Sequence, residues 1–263
     1  MSSSITKVRQ RQIIQTIDAG KRLDGRSLTD FREFKIEQGV IEKAEGSARV
    51  LLGKSDVLVG VKVETGEPFP DTPNEGVMTV NAELVPLASA SYETGPPDET
   101  SIELARIVDR GIRESKAIDT EKLCIEPGKK VFVVFVDVWV LNYDGNLIDT
   151  AALAAMSALL NTKMPNFEIK EGEVKIKQGY TPLPLRSHPI TVTIGKIGDK
   201  LIIDPAAEEE NVMDARLTMA INDEGNICAI QKGLAGYFTP QQIIEASKLA
   251  REKADELRKK LKW

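Results

Sequence analysis

Apolar residues along this chain change period several times, and each change marks an element. Between Pro97 and Ser115, Leu104, Ile107, Val108 and Ile112 recur at three- and four-residue intervals, which predicts an amphipathic helix. At about 100° per residue, its other side gathers Arg106, Arg110 and Arg113 within an arc of roughly 60°. Strand-like runs fall around Phe34–Gln38, Ala48–Leu52 and Val57–Glu64, the last two joined by the hairpin signal Gly53-Lys-Ser-Asp56. A proline-rich loop, Gly66–Gly76, leads to a strand with Met78, Val80, Ala82 and Leu84 on one face. Val131–Leu141 is apolar at nearly every position, as in a strand whose two faces both want cover from helices of the chain. Helices are also predicted from about Ile5 to Ala19, from Asp149 to Asn161 (alanine-rich), and at the end of the chain. That last helix opens with Thr239-Pro-Gln-Gln242, a capping box with proline at its first position. Its stripe Ile243, Ser247, Ala250, Ala254, Leu257 and Leu261 faces the sheet, and Lys259, Lys260 and Lys262 suit the negative end of its dipole.

The pattern repeats. Thr191–Ile203 echoes Ala48–Gly60 as strand, Gly-Lys turn, strand, and Glu210-Asn-Val-Met213 echoes Glu75-Gly-Val-Met78. Strands followed by helices, twice over, predict an α+β fold built from a duplicated β-α unit, with mixed sheets and helices packed on them. The expected organisation is a helix and polar turn over 1–32, one half over 33–165, a second over 185–255, and the closing helix over 240–263.

Composition narrows the function classes. With 41% apolar and 29% charged residues the chain has the balance of a folded domain, not of a disordered one. Its longest apolar run is too short to cross a bilayer as a helix, and no signal-peptide core is apparent, so a cytoplasmic protein with no membrane association is expected. Two cysteines make no disulfide framework, and a single histidine leaves little material for a zinc site or a Ser-His-Asp triad. No cofactor and no metal are expected. A net charge of −5 argues against a protein that coats nucleic acid with its whole surface, yet allows a local basic groove.

Two places carry candidate chemistry. The arginine stripe could be laced into ion pairs, since Glu103–Arg106, Arg106–Asp109, Asp109–Arg113 and Arg110–Glu114 all have helical spacing. Each such exposed pair contributes only about 0.3–0.5 kcal/mol, a weak reason to align three arginines. Guanidinium forks also bind phosphate oxygens bidentately and without regard to base sequence. The second place is Asp144-Gly-Asn-Leu-Ile-Asp149, where a helix starts and its free N–H groups could receive phosphate. No side chain there helps to hold it. Asp149 would repel the anion and reads instead as a helix-start residue. Among weaker candidates, Arg22 and Arg26 read as ties between the first helix and the body rather than RNA contacts. Lys54 reads as a solvated turn residue and His188 as structural.

Arg22-Leu-Asp-Gly-Arg26, Gly46-Ser-Ala-Arg-Val50, Glu103-x-x-Arg106-x-x-x-Arg110-x-x-Arg113, the glycine turn before the alanine-rich helix and Asp204 stand in an order and spacing that resembles the RNase PH family of phosphorolytic exoribonucleases. Gly95-Pro-Pro-Asp-Glu99 and Glu126-Pro-Gly-Lys129 look like the non-catalytic branch of that family found in the archaeal exosome ring. The resemblance covers about residues 20 to 255. It implies a ring of three heterodimers, in which this subunit alternates with a catalytic RNase PH-like paralogue beneath RNA-binding cap subunits. Single-stranded RNA threads the channel, and phosphate attacks its 3′ end. Active relatives carry a Ser- or Thr-Arg pair where this chain has Leu147 and Ile148, so Leu147, Ile148 and Asp149 are read as a degenerate phosphate site. Asp204 takes the place of one member of the family's acidic pair, a possible vestigial acid. Glu210 and Asp214 follow it in what reads as a solvated acidic turn. Arg110 and Arg113, with Arg106 beside them, are implied to bind RNA at the partner's active site. The alternative is an active phosphorolase in its own homohexamer, which would need a cation such as Lys129 or Lys130 in the phosphate site. A third possibility is a free-standing RNA-binding protein on a retired enzyme fold.

Overall fold

The structure, a computed structural model, describes residues 3–170 and 173–261. Helix α1 (Ser3–Asp18) and the polar turn precede strands β1 (Phe34–Gln38), β2 (Gly46–Leu52), β3 (Ser55–Gly66) and β4 (Val77–Leu84). Then come α2 (Glu99–Glu114), a 3-10 turn at Thr120–Leu123, β5 (Cys124–Glu126), β6 (Lys130–Asn142) and α3 (Leu147–Asn161). The sheet runs β1-β2-β3-β6-β4, with β5 on β6; β4 lies parallel to β6 and the other pairs are antiparallel. Strand β6 shows why α2 and α3 settle on one face. Phe132, Val134, Val136, Val138 and Val140 are buried in a core shared with those helices. The alternate residues Val133, Phe135 and Leu141 are only half-buried, and Trp139 is 39% exposed. The chain therefore covers one face of this strand, not both as its apolar sequence suggests.

A hairpin the sequence pattern left unassigned, β7 (Lys163–Lys170) and β8 (Glu173–Pro182), leads to the second half. There β9 (Ile190–Ile197), β10 (Lys200–Ile203), a short helix α4 (Ala207–Glu210), β11 (Ala215–Ile221) and β12 (Ile227–Gly233) precede α5 (Pro240–Lys260). The four strands form an antiparallel sheet in the order β10-β9-β11-β12. The Gly-Lys alignment of the repeat is out of step, because Gly195 and Lys196 sit inside β9. The turn is made at Gly198, whose φ of 58° matches the 59° of Gly53 in the first hairpin.

Two helices set the relation of the halves. Ala246, Ala250, Ala254 and Leu257 of α5, with Leu261 just beyond its end, are buried against the second sheet, and Thr239 accepts a hydrogen bond from the Gln242 backbone amide as the capping box requires. Ile243, expected in that stripe, is 41% exposed; the buried row begins at Ala246. Helix α3 packs on β2 and β3 of one sheet and on β9 of the other. Ala151, Ala154, Ala155 and Ala158 are fully buried, small enough for close approach on both sides, which is why this helix has little polar face.

Where β6 turns into α3 the halves touch backbone to backbone. Gly145 has a φ of 89°, and a Cβ there would lie 2.5 Å from backbone atoms of Pro205, Ala206 and Ala207. Gly145→Ala combines left-handed strain with this overlap. It is expected to destabilise the protein by about 2–4 kcal/mol in chemical denaturation; a loss below 1 kcal/mol would mean that the turn relaxes freely.

Candidate nucleic-acid interface

Helix α2 starts at Asp98, whose carboxylate accepts a 2.8 Å hydrogen bond from the Ser101 amide. Its apolar stripe, Leu104, Ile107, Val108 and Ile112, is buried, so Arg106, Arg110 and Arg113 all face outward. Of the four ion pairs that helical spacing allows, one forms. Arg113 grips Asp109 at 2.7 and 3.0 Å and donates to the Met78 carbonyl at 2.9 Å. Glu103 turns away to Arg216 of the second half, 2.6 Å distant. Arg106 and Arg110 have no ion pair or side-chain hydrogen bond among the described residues. They line an open groove of about 430 Å³ whose far side is Gln231 of β12.

The start of α3 is built differently. Asn146 precedes the helix in the left-handed conformation, with a φ of 51°. Its backbone N–H donates to Glu210 at 2.9 Å, and its side-chain amide donates to Asp149 and to Asp204, each at 2.9 Å. Leu147 and Ile148 are 7% exposed and pack in the core. Asp149 does not cap the helix as its position suggests. It reaches β9, where it accepts from the Thr193 amide at 2.9 Å and the Thr193 hydroxyl at 2.7 Å. Glu210 also accepts from the Tyr143 hydroxyl at 2.6 Å.

The acidic turn is not solvated as the sequence suggests. Asp204, fully buried, accepts from the Arg32 amide and guanidinium between 2.7 and 2.9 Å and from Arg26 at 2.9 Å. Arg22, buried too, pairs with Glu209 and donates to the carbonyls of Ile203 and Asp204 at 2.8 Å. Exposed Glu208 pairs with Arg9 of α1 at 2.8 Å, and Asp214 accepts from the Gly198 amide at 2.8 Å. Arg22 and Arg26 thus spend their charge inward. Lys54 is exposed at the rim of a cleft beside Arg9, Arg26 and Arg32. His188 engages Asp223 through its backbone N–H at 2.9 Å and Nδ1 at 3.2 Å.

Protonation follows from these contacts. Burial alone would lift Asp204, but the hydrogen bonds and charge of Arg32 overcome it and hold the carboxyl below its usual range. Asp204 is thus held as a carboxylate between Arg26 and Arg32. Burial pushes Asp149 up to about 7, against the hydrogen bonds from Asn146 and Thr193. Burial likewise raises Glu210, against those from Tyr143 and Asn146. The seat before α3 is therefore ringed by the chain's own carboxyl groups. Lys129 and Lys130 lie at the opposite end of the 13-residue β6, roughly 40 Å of strand away. Among the described residues, no group of three or more His, Cys, Asp or Glu side chains could hold a metal ion. No described helix is long and apolar enough to cross a membrane. Arg32, Tyr143, Thr193 and Gln231 escaped the sequence reading because none belongs to a periodic pattern.

Profiles of the 3′ exoribonuclease family match this chain over most of its length, domain 1 at residues 30–165 and domain 2 at residues 187–253. The chain belongs to this RNase PH family. Within it, the chain is 52% identical to exosome complex component Rrp42 of Thermococcus kodakarensis over 98% of its own length and 95% of that protein's. It is 48% identical to the Rrp42 of Methanopyrus kandleri over 98% and 97%. Its fold superposes with a TM-score of 0.91 on a chain of the Archaeoglobus fulgidus exosome with RNA bound to the active site, at 46% identity and covering 98% and 99% of the two chains. A chain of an archaeal exosome core gives 0.86 at 43% identity, with 97% of each covered.

Asp149 supplies a pH test. Its carboxyl binds a proton more readily in the folded protein than in the unfolded chain, so its stabilising contribution is complete below the unfolded pKa near 4 and lost as pH rises towards about 7. Asp149→Asn removes this titration. Scanning calorimetry should show a shallower change of melting temperature between pH 4 and 7 for the variant; an identical slope would place the proton elsewhere.

Proposed function

We propose that this chain is the non-catalytic, RNA-binding subunit of a cytoplasmic archaeal exosome ring. In this reading it alternates with a catalytic paralogue in three heterodimers, beneath RNA-binding cap subunits, and supports phosphate-dependent 3′-to-5′ degradation of single-stranded RNA. The observation that carries the reading is the start of α3. Phosphorolysis needs phosphate held in line with the scissile bond by donors and cations. At that place this chain has two buried aliphatic side chains, Leu147 and Ile148, and the carboxyl groups of Asp149, Asp204 and Glu210. An anion entering there finds the place taken, with the Asn146 N–H already given to Glu210 and its side-chain amide to Asp149 and Asp204. The same family scaffold still presents Arg106 and Arg110 to solvent, so the subunit contributes grip rather than chemistry. Arg113, expected beside them on the RNA, keeps half of its side chain exposed while its ties to Asp109 and Met78 brace the helix that carries all three.

The decisive measurement is release of ADP from poly(A) in the presence of inorganic phosphate. The chain alone is expected to release none, and addition of the catalytic paralogue to restore release. Phosphate-dependent ADP from the chain alone would make it an enzyme.

Replacing Arg106 and Arg110 together with glutamate is expected to leave ring assembly unchanged in size-exclusion chromatography. RNA affinity should fall by at least about tenfold, because hydrogen bonds to charged groups are involved. Two lost phosphate contacts should also flatten the slope of log affinity against log salt by about 1.4. Unchanged affinity would remove the arginines from the RNA path.

A further inference from the structure

The groove beside α2 crosses from the first half of the chain to the second. One wall carries the unpaired Arg106 and Arg110, and from the other the side chain of Gln231 enters on β12. Ile102 and Ile107 give the cleft an apolar side, and a smaller adjoining cavity is again lined by Ile107, Arg110 and Gln231. Two acids share the lining: Glu103 is paired with Arg216 at 2.6 Å, and Glu99 stands in the first turn of α2. Gln231 is half-buried and hardly engaged. Its amide nitrogen makes one long contact, 3.4 Å, to the Lys232 carbonyl, and its amide oxygen accepts no hydrogen bond among the described residues.

Two free guanidinium groups facing a free amide across an apolar cleft make an arrangement suited to one nucleotide. At about 430 Å³ the cleft falls in the range of small-ligand sites, about 300–1,000 Å³. The arginines can take the phosphates on either side of a sugar, but phosphates are the same in RNA and DNA. A channel that accepts any sequence must draw its remaining contacts from atoms common to all nucleotides. The ribose 2′-hydroxyl is such a group and is absent from DNA. An amide that both donates and accepts matches a hydroxyl that does the same.

We propose that Gln231 hydrogen-bonds the ribose 2′-hydroxyl of a nucleotide whose phosphates lie on Arg106 and Arg110, making this groove an RNA-selective subsite assembled from both halves. The assignment rests on the reading of these arginines as RNA-binding. Its test uses the complete ring with the catalytic partner and fluorescence anisotropy of labelled oligo(A) and oligo(dA) of equal length at one salt concentration. Gln231→Ala and Gln231→Leu should each weaken oligo(A) binding about fivefold, the loss of one neutral hydrogen bond, and leave oligo(dA) binding unchanged. The Arg106→Glu, Arg110→Glu double variant should weaken both. If the Gln231 variants bind oligo(A) as well as the parent ring, or lose both oligonucleotides equally, the assignment of Gln231 fails while the arginine reading stands. If the double arginine variant binds both oligonucleotides normally, the reading beneath it fails as well.

Discussion

A carboxylate taken fully out of water must be paired, and the pairing of Asp204 organises the centre of this protein. Arg32 and Arg26 reach it from the segment before β1, and Asn146 reaches it from the start of α3. The residue itself leaves β10, in the second half. Three separate parts of the chain are thus tied to one charge. Asn146 extends the tie to Asp149 and Glu210, and Asp149 extends it to Thr193 on β9. Removing Asp204 or Arg32 would leave the opposite buried charge without its main partner, which couples the members of the network.

That constraint accounts for the character of α3. A helix placed between two sheets has no solvent face to spare, and its alanines let both sheets close on it. Its N-terminus is consequently buried at the junction of the halves. In an active phosphorolase such a terminus could face an anion, because helix N–H groups there favour negative charge. Here the chain fills that place itself, the carboxyl of Glu210 accepting from the Asn146 N–H. In this chain that geometry joins the start of α3 to the second half through Glu210, Asp204 and Thr193.

The arginine helix obeys the opposite logic. Its apolar stripe docks on the sheet, and its outward face is left to charges that water can solvate. Of the cations there, Arg113 satisfies nearby groups of its own chain, while Arg106 and Arg110 satisfy none among the described residues. Exposed charge without a local partner contributes little to stability, so these two side chains are available to a ligand at little cost to the fold. Their groove is closed by Gln231 of β12, which ties it to the packing of the two halves.

Periodicity in the sequence by itself determined most elements, because burial of one face imposes a local repeat. The spacing of Leu104, Ile107, Val108 and Ile112 defines α2 and, by exclusion, the outward arginines. The capping box at Thr239 defines where α5 begins. The aliphatic pair Leu147-Ile148 already signals a helix start that packs into the core. Only the tertiary structure decided the partners of the polar residues. Arg32 and Thr193 have no periodic signature, and Asp149 looks like a cap until β9 is beside it. The acidic turn looks solvated until Arg22, Arg26 and Arg32 close on it. Likewise, which arginines remain unpaired depends on where Glu103 finds Arg216, 113 positions away. Local repeats record which face is buried; hydrogen bonds and ion pairs join residues distant in sequence, and their matching is settled only when the sheets and helices have packed.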